Sequence, residues 1–130
     1  MLKKVLIVDD DEDLRRIAEI CLQVVGELQV IVASSGAEGI RQARDQQPDL
    51  ILLDVMMPEM SGIEMFKRLR VDKTTASIPV IFITTRTQEH AVDTYLDLGA
   101  IGVLAKPYDP MELATEVREL FDAKKPDQAS

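Results

Sequence analysis

Val5-Leu6-Ile7-Val8 is continuously apolar and largely β-branched, and gives way at once to Asp9-Asp10-Asp11. Unbroken rather than alternating apolarity predicts a strand covered on both faces, as in a parallel sheet. Leu14, Ile17, Ala18, Cys21, Leu22 and Val25 then recur at three- and four-residue spacing up to Gly26, which predicts a helix. The same two-beat unit repeats. Leu28 to Ala33 is a weaker strand, and Ser35-Gly36-Ala37-Glu38 is a capping box opening a helix through Ala43. Pro48 breaks that pattern before the apolar strand Leu50-Ile51-Leu52-Leu53, which ends at Asp54. A turn with Pro58 and Gly62 leads to a helix carrying Ile63, Phe66 and Leu69 on one side. Ile78 to Ile83 is another strong strand, with Pro79 tolerable near its start. A helix with Ala91, Val92, Tyr95 and Leu96 stops at Gly99, and Gly102 to Ala105 is the last short strand. Asp109-Pro110-Met111-Glu112 supplies an N-cap, a first-turn proline and a capping glutamate for the final helix.

Five βα units predict an α/β fold in one domain over residues 1–123, a five-stranded parallel sheet doubly wound by five helices. Right-handed crossovers put helices on both faces, and residues 124–130 form a polar tail. In open sheets of this kind ligands bind beyond the carboxyl ends of the strands. The sequence puts its unusual polar residues there. Asp9 and Asp10 close the first strand, Asp54 the third, Thr84 the fourth and Lys106 the fifth, each after an apolar run.

Composition narrows the functions open to such a pocket. The 130 residues carry 15 Lys+Arg against 23 Asp+Glu, a net charge of −8, with 4% aromatic residues and no Trp. Phosphate backbones need basic faces and stacked bases need aromatic platforms, so no direct nucleic-acid partner is expected. No apolar run approaches the roughly 20 residues of a membrane span, and Met1-Leu2-Lys3-Lys4-Val5 is not the start of a secretory signal. The single cysteine, Cys21, has no internal disulfide partner and lies on an apolar stripe, where a buried thiol in a reducing cytoplasm is expected.

Three carboxylates brought together repel one another, and a hard divalent cation such as Mg²⁺ relieves the repulsion. With the ammonium of Lys106 opposite, such a cluster is a receptacle for a phosphoryl group, and the Thr84 hydroxyl is placed to donate to it. The chain contains neither G-x-x-x-x-G-K-[ST] nor G-x-G-x-x-G, so a nucleotide cradle is not encoded. The phosphoryl group must arrive on another donor, and Asp54, alone at a central strand end, is the best nucleophile for an acyl phosphate.

VLIVDDD (5–11), LILLDVMMPEMSG (50–62), IPVIFITT (78–85) and KPY (106–108) together resemble the receiver domain of two-component response regulators. The ordered set runs from Lys4 to about Phe121. The resemblance implies a flavodoxin-like fold with strand order 2-1-3-4-5. It implies that Asp54 is the phosphoacceptor, that Asp9, Asp10 and Asp54 hold Mg²⁺ (Mn²⁺ as a substitute), Asp10 directly and Asp9 mainly through water, and that the Met56 backbone carbonyl completes the protein ligands. Thr84 becomes the switch hydroxyl, Lys106 the partner of a phosphoryl oxygen, and the bond to Pro107 cis. The donor would be a sensor histidine kinase or a phosphotransfer protein. The response would be a changed protein-binding face on helix four, strand five and helix five, as a monomer or a phosphorylation-dependent dimer. No turnover is expected beyond self-phosphorylation and autodephosphorylation. Two positions depart from the pattern: Val103 stands where an aromatic switch residue is common, and Thr85 where a very small residue is usual. Met56 and Arg86 occupy the positions thought to tune acyl-phosphate lifetime, and their side chains favour a long-lived state.

Each residue also has a plainer reading. Asp11 reads as an N-cap and His90 as solvated surface, while Met57, Met60 and Met65 can be core filling or an adaptable docking surface with Met56. Arg41, Arg44, Lys67, Arg68 and Arg70 read as solvated helix faces and Asp72 to Ser77 as a loop. Two further functions remain open. Asp9-x-Asp11 with a later lysine resembles haloacid dehalogenase-type phosphatases, with Asp9 as nucleophile and Asp11 as acid, although the following Thr and a cap domain are missing. The other is an unphosphorylated binding module.

Overall fold

The computed structural model describes residues 2–85 and 89–123. Arg86, the side chain of His90 and the 124–130 tail lie outside the described residues. Strands β1 (Lys4–Val8), β2 (Gln29–Ala33), β3 (Leu50–Asp54), β4 (Val80–Thr84) and β5 (Gly102–Ala105) alternate with five helices. These are α1 (Glu12–Val24), α2 (Gly36–Gln46), α3 (Gly62–Val71), α4 (Glu89–Leu98) and α5 (Leu113–Ala123). The strands form one parallel sheet in the order β2-β1-β3-β4-β5. Fold class and strand order are those expected.

The apolar runs become strands because both faces of the sheet are covered. Val5, Ile7, Leu50, Leu52, Ile81, Ile83 and Leu104 join one hydrophobic cluster with Leu22, Leu113, Val117 and Phe121. Leu6, Val8, Ile51, Leu53, Val80 and Phe82 point the other way and pack with Met65, Phe66, Leu69 and Tyr95. Each wholly buried Val, Leu, Ile or Phe contributes about 1.5–3 kcal/mol relative to exposure, so the central strands anchor the fold.

Local expectations need three corrections. In α1 only Ala18 and Leu22 are fully buried; Ile17 and Val25 are exposed and Cys21 is half-buried, so the thiol is not a sealed core group. The stripe is broader than the part of α1 that meets the sheet. Helix α5 begins at Leu113 rather than just after Asp109. The Asp109 carboxylate accepts the Met111 amide (2.9 Å) and its carbonyl accepts the Glu112 amide (3.0 Å), closing a turn in place of a first helical turn. Arg70 is half-buried, 4.3 Å above the Phe66 ring and donating to the Ile78 carbonyl (3.0 Å), not a solvated side chain. The segment 72–77 is the expected loop, and it is tied down on both sides. Its buried Thr75 donates to the Leu69 carbonyl (2.8 Å), and Asp72 accepts from Thr74 and pairs with Arg44 (2.9 Å).

Candidate functional site

Sheet register assembles the site. Val8 pairs with Leu53, Asp54 with Ile83, and Thr84 with Ala105. The residues that end β3 and β4 or follow β1 and β5, namely Asp54, Thr84, Asp9 and Lys106, therefore stand side by side along one rim. Main-chain bonds continue the ladder past the last paired residues: Asp9 N–H to the Ala33 carbonyl (3.2 Å), Val55 N–H to Ile83 (3.1 Å), and Lys106 N–H to Thr84 (2.9 Å).

Asp9, Asp54 and Thr84 are buried polar residues at the end of an apolar sheet, with relative exposures of 1%, 3% and 1%. The Lys106 ammonium reaches Asp9 Oδ2 at 3.2 Å and Asp54 Oδ2 at 3.3 Å. One cation thus bridges two buried carboxylates and offsets part of the cost of burying them. Asp54 Oδ1 accepts the Met56 amide at 3.3 Å, and Asp9 Oδ1 accepts the Asp11 amide at 2.9 Å. Burial first, and the Asp9 charge second, push the Asp54 carboxyl up to about 6, against the opposing pull of Lys106. Burial disfavours the charged form of Lys106, but Asp9 and Asp54 reverse that effect and hold its ammonium above the usual lysine range.

Asp10 is exposed beside them. Asp9, Asp10 and Asp54 each offer a carboxylate oxygen, and these oxygens lie within 4.8 Å of one another. An all-oxygen, acceptor-only set that includes two carboxylates inside low-dielectric surroundings suits a hard divalent cation such as Mg²⁺. The Met56 side chain is 66% exposed, leaving its main chain at the rim. Met65 is fully buried and Met57 and Met60 pack on the same cluster, so the methionines divide between core and surface. Thr85 is exposed just past Thr84, and Val103 is half-buried against the core. The Lys106–Pro107 peptide bond is cis.

The supporting roles of three residues were not legible in the sequence. Arg15 reaches from the first turn of α1 to the Asp9 carbonyl (2.8 Å), although nothing in its spacing distinguishes it from neighbouring Arg16. Gly62 is more than a turn residue: a Cβ there would meet the Asp54 carbonyl oxygen and lie 2.9 Å from Val55 Cα, so only glycine lets α3 start this close to the end of β3. The Tyr108 hydroxyl donates to the Leu14 carbonyl (3.0 Å). Asp11, the acid of the phosphatase alternative, accepts the Leu14 amide as the N-cap of α1.

Residues 5–118 match the family model described as the response regulator receiver domain. The chain belongs to this family. It is 38% identical over 121 residues to the alkaline phosphatase synthesis transcriptional regulatory protein PhoP of Bacillus subtilis, covering 93% of this chain and 49% of that protein. It is 34% identical over 119 residues to the phosphate regulon transcriptional regulatory protein PhoB of Pseudomonas aeruginosa, covering 92% and 52%. The receiver domain thus spans about half the length of these curated relatives. Among solved structures, the chemotaxis response regulator CheY4 of Vibrio cholerae superimposes with a TM-score of 0.84 at 32% identity, covering 92% of this chain and 99% of that one. Receiver domains act in two-component signalling with histidine kinases or phosphotransfer proteins and generally bind Mg²⁺ at an acidic pocket; the aspartate trio is a group of ligands that could hold such an ion. Among the described residues no helix is long and apolar enough to cross a membrane.

Proposed function

We propose that this receiver domain is a phosphoacceptor switch in which Asp54 takes the phosphoryl group. The observation that carries the assignment is the Lys106 bridge to Asp9 and Asp54, because it couples a nucleophile, an acidic pair and a fixed ammonium in one buried cluster. In transfer from a phosphohistidine, an Asp54 oxygen forms a bond to phosphorus as the phosphorus–nitrogen bond breaks, and the electron pair returns to the imidazole. Asp9, Asp10 and Asp54, with the Met56 carbonyl, would hold Mg²⁺ or Mn²⁺, which supplies charge neutralisation for the phosphoryl oxygens. Lys106 pairs with one of those oxygens, and Thr84 donates its hydroxyl to another.

The donor is a sensor histidine kinase or phosphotransfer protein, and the setting is the cytoplasm. Drawing the Thr84 hydroxyl inward biases the adjoining α4, β5 and α5, whose surface then engages a downstream protein or a second copy of the chain. Val103 leaves that relay without an aromatic swing, so Thr84 carries it. Met56, with no polar side chain to orient water, favours a long-lived acyl phosphate. A net charge of −8 favours protein rather than nucleic-acid contacts.

The test is Mg²⁺-dependent labelling by acetyl phosphate, followed by intact mass. Wild type should gain one phosphoryl group and Asp54→Asn none. Full labelling of Asp54→Asn would defeat the assignment.

A further inference from the structure

The described main-chain bonds hold Lys106 from one side, through its amide on the Thr84 carbonyl. The next residue, Pro107, has no N–H to give. The first side-chain anchor beyond it is Tyr108, whose hydroxyl crosses 94 positions of sequence to the Leu14 carbonyl at 3.0 Å. Leu14 lies in the first turn of α1, which also holds Asp9: Arg15 donates to the Asp9 carbonyl (2.8 Å) and the amide of the N-cap Asp11 donates to the Asp9 carboxylate (2.9 Å). One turn of helix therefore grips both ends of the Asp9–Lys106 ion pair.

We propose that Tyr108 is a positioning residue for phosphoryl transfer, its hydroxyl clamping the Lys106 loop to the turn of α1 that carries Asp9. The proposal rests on the phosphoacceptor reading above. The clamp suits its task. The ring packs against the hydrophobic cluster on the α1 and α5 side of the sheet, so the phenol is delivered by a rigid aromatic body. Burial first and the charge of Asp9 next push the phenol up to about 12, so it remains a proton donor throughout the physiological range. A phenylalanine would fill the same space without the bond, so the hydroxyl has a function separable from packing. Lysine has a long, flexible stem, and restricting where that stem begins limits how far its ammonium strays from Asp54.

The test is a double-mutant cycle on the full chain, with acetyl phosphate as donor at saturating Mg²⁺. Tyr108→Phe should label about fivefold more slowly than wild type, the loss expected from one ordinary hydrogen bond. Its Mg²⁺ affinity by calorimetry should match wild type, because Asp9, Asp10 and Asp54 are untouched. In a Lys106→Ala background the same Tyr108→Phe change should alter the rate less than about 1.5-fold, since it acts through a side chain no longer there. A purely structural role would instead repeat the full loss in both backgrounds. Equal rates for wild type and Tyr108→Phe, or equal fold-losses with and without Lys106, overturn the proposal. Asp54→Asn labelled as fully as wild type would overturn the phosphoacceptor reading itself, a different outcome of the same experiment.

Discussion

Asp54 sits at an electrostatic compromise that sets how the protein responds to pH. Its carboxyl is raised from an ordinary 3.8 to about 6, through burial and then the neighbouring Asp9. Between those two values the folded state binds more protons than the unfolded chain, so stability falls as pH rises. The stabilising effect of the neutral form is complete below about pH 4 and is lost as pH climbs through about 6. Asp54→Asn is neutral at every pH. It should exceed wild type by about 1–3 kcal/mol near pH 7.5 and differ little near pH 4, read by urea unfolding at both. Equal stability at both pH values would mean that Lys106 neutralises Asp54 completely. The sequence makes Asp9, Asp54, Thr84 and Lys106 legible for one physical reason: a polar side chain directly after an apolar, doubly covered strand has no packing explanation. Arg15 and Tyr108 carry no such signal. Their partners are backbone carbonyls (Asp9 and Leu14), which exist at every position and single out none.

The connections between elements control how well these groups are presented. The carboxyl end of β3 and the start of α3 meet through Gly62, whose amide also donates to the Val55 carbonyl at 2.9 Å. Gly62→Ala would press a methyl group onto the main chain of Asp54 and Val55, and backbone cannot rotate away as a side chain tip can. Overpacking of this kind costs roughly 1–3 kcal/mol. Because the strain falls on the loop that delivers the Met56 amide to Asp54, labelling by acetyl phosphate should slow even under conditions where the variant remains fully folded. Wild-type labelling in a folded Gly62→Ala protein would show that the approach is not needed. Sequence patterns identify the elements themselves and fail at their edges. The Asp109 carboxylate satisfies an amide equally well in a short turn or at a helix N-cap, so the start of α5 is ambiguous until Leu113 finds the core. The stripe on α1 has the right period, but periodicity gives the direction of a face and not its width. Ile17 and Val25, 40% and 45% exposed, lie beyond the sheet that Ala18 and Leu22 cover.

Across the whole molecule, two hydrophobic layers fix a sheet whose one rim gathers negative charge in a chain already at −8. Strand order 2-1-3-4-5 follows from the family resemblance and not from the apolar runs, which would suit several parallel orders. With β1 and β3 adjacent, Asp9 and Asp54 become neighbours; any order separating them would scatter the pocket. The fold therefore works against the repulsion of its own site, and a ligand that relieves the repulsion must stabilise the fold. Mg²⁺ at ten times its dissociation constant should raise stability by about 1.4 kcal/mol. For a domain of this size that is a rise in Tm of roughly 3–6 °C. The rise should saturate with concentration, and NaCl at matched ionic strength should not reproduce it, because screening acts weakly on charges already inside the protein. Asp10→Asn removes the exposed member of the trio without leaving a buried ammonium unpaired, so it should keep the metal-free Tm and lose most of the Mg²⁺-dependent gain. A gain undiminished in Asp10→Asn would place the cation elsewhere on the acidic surface and detach it from Asp54.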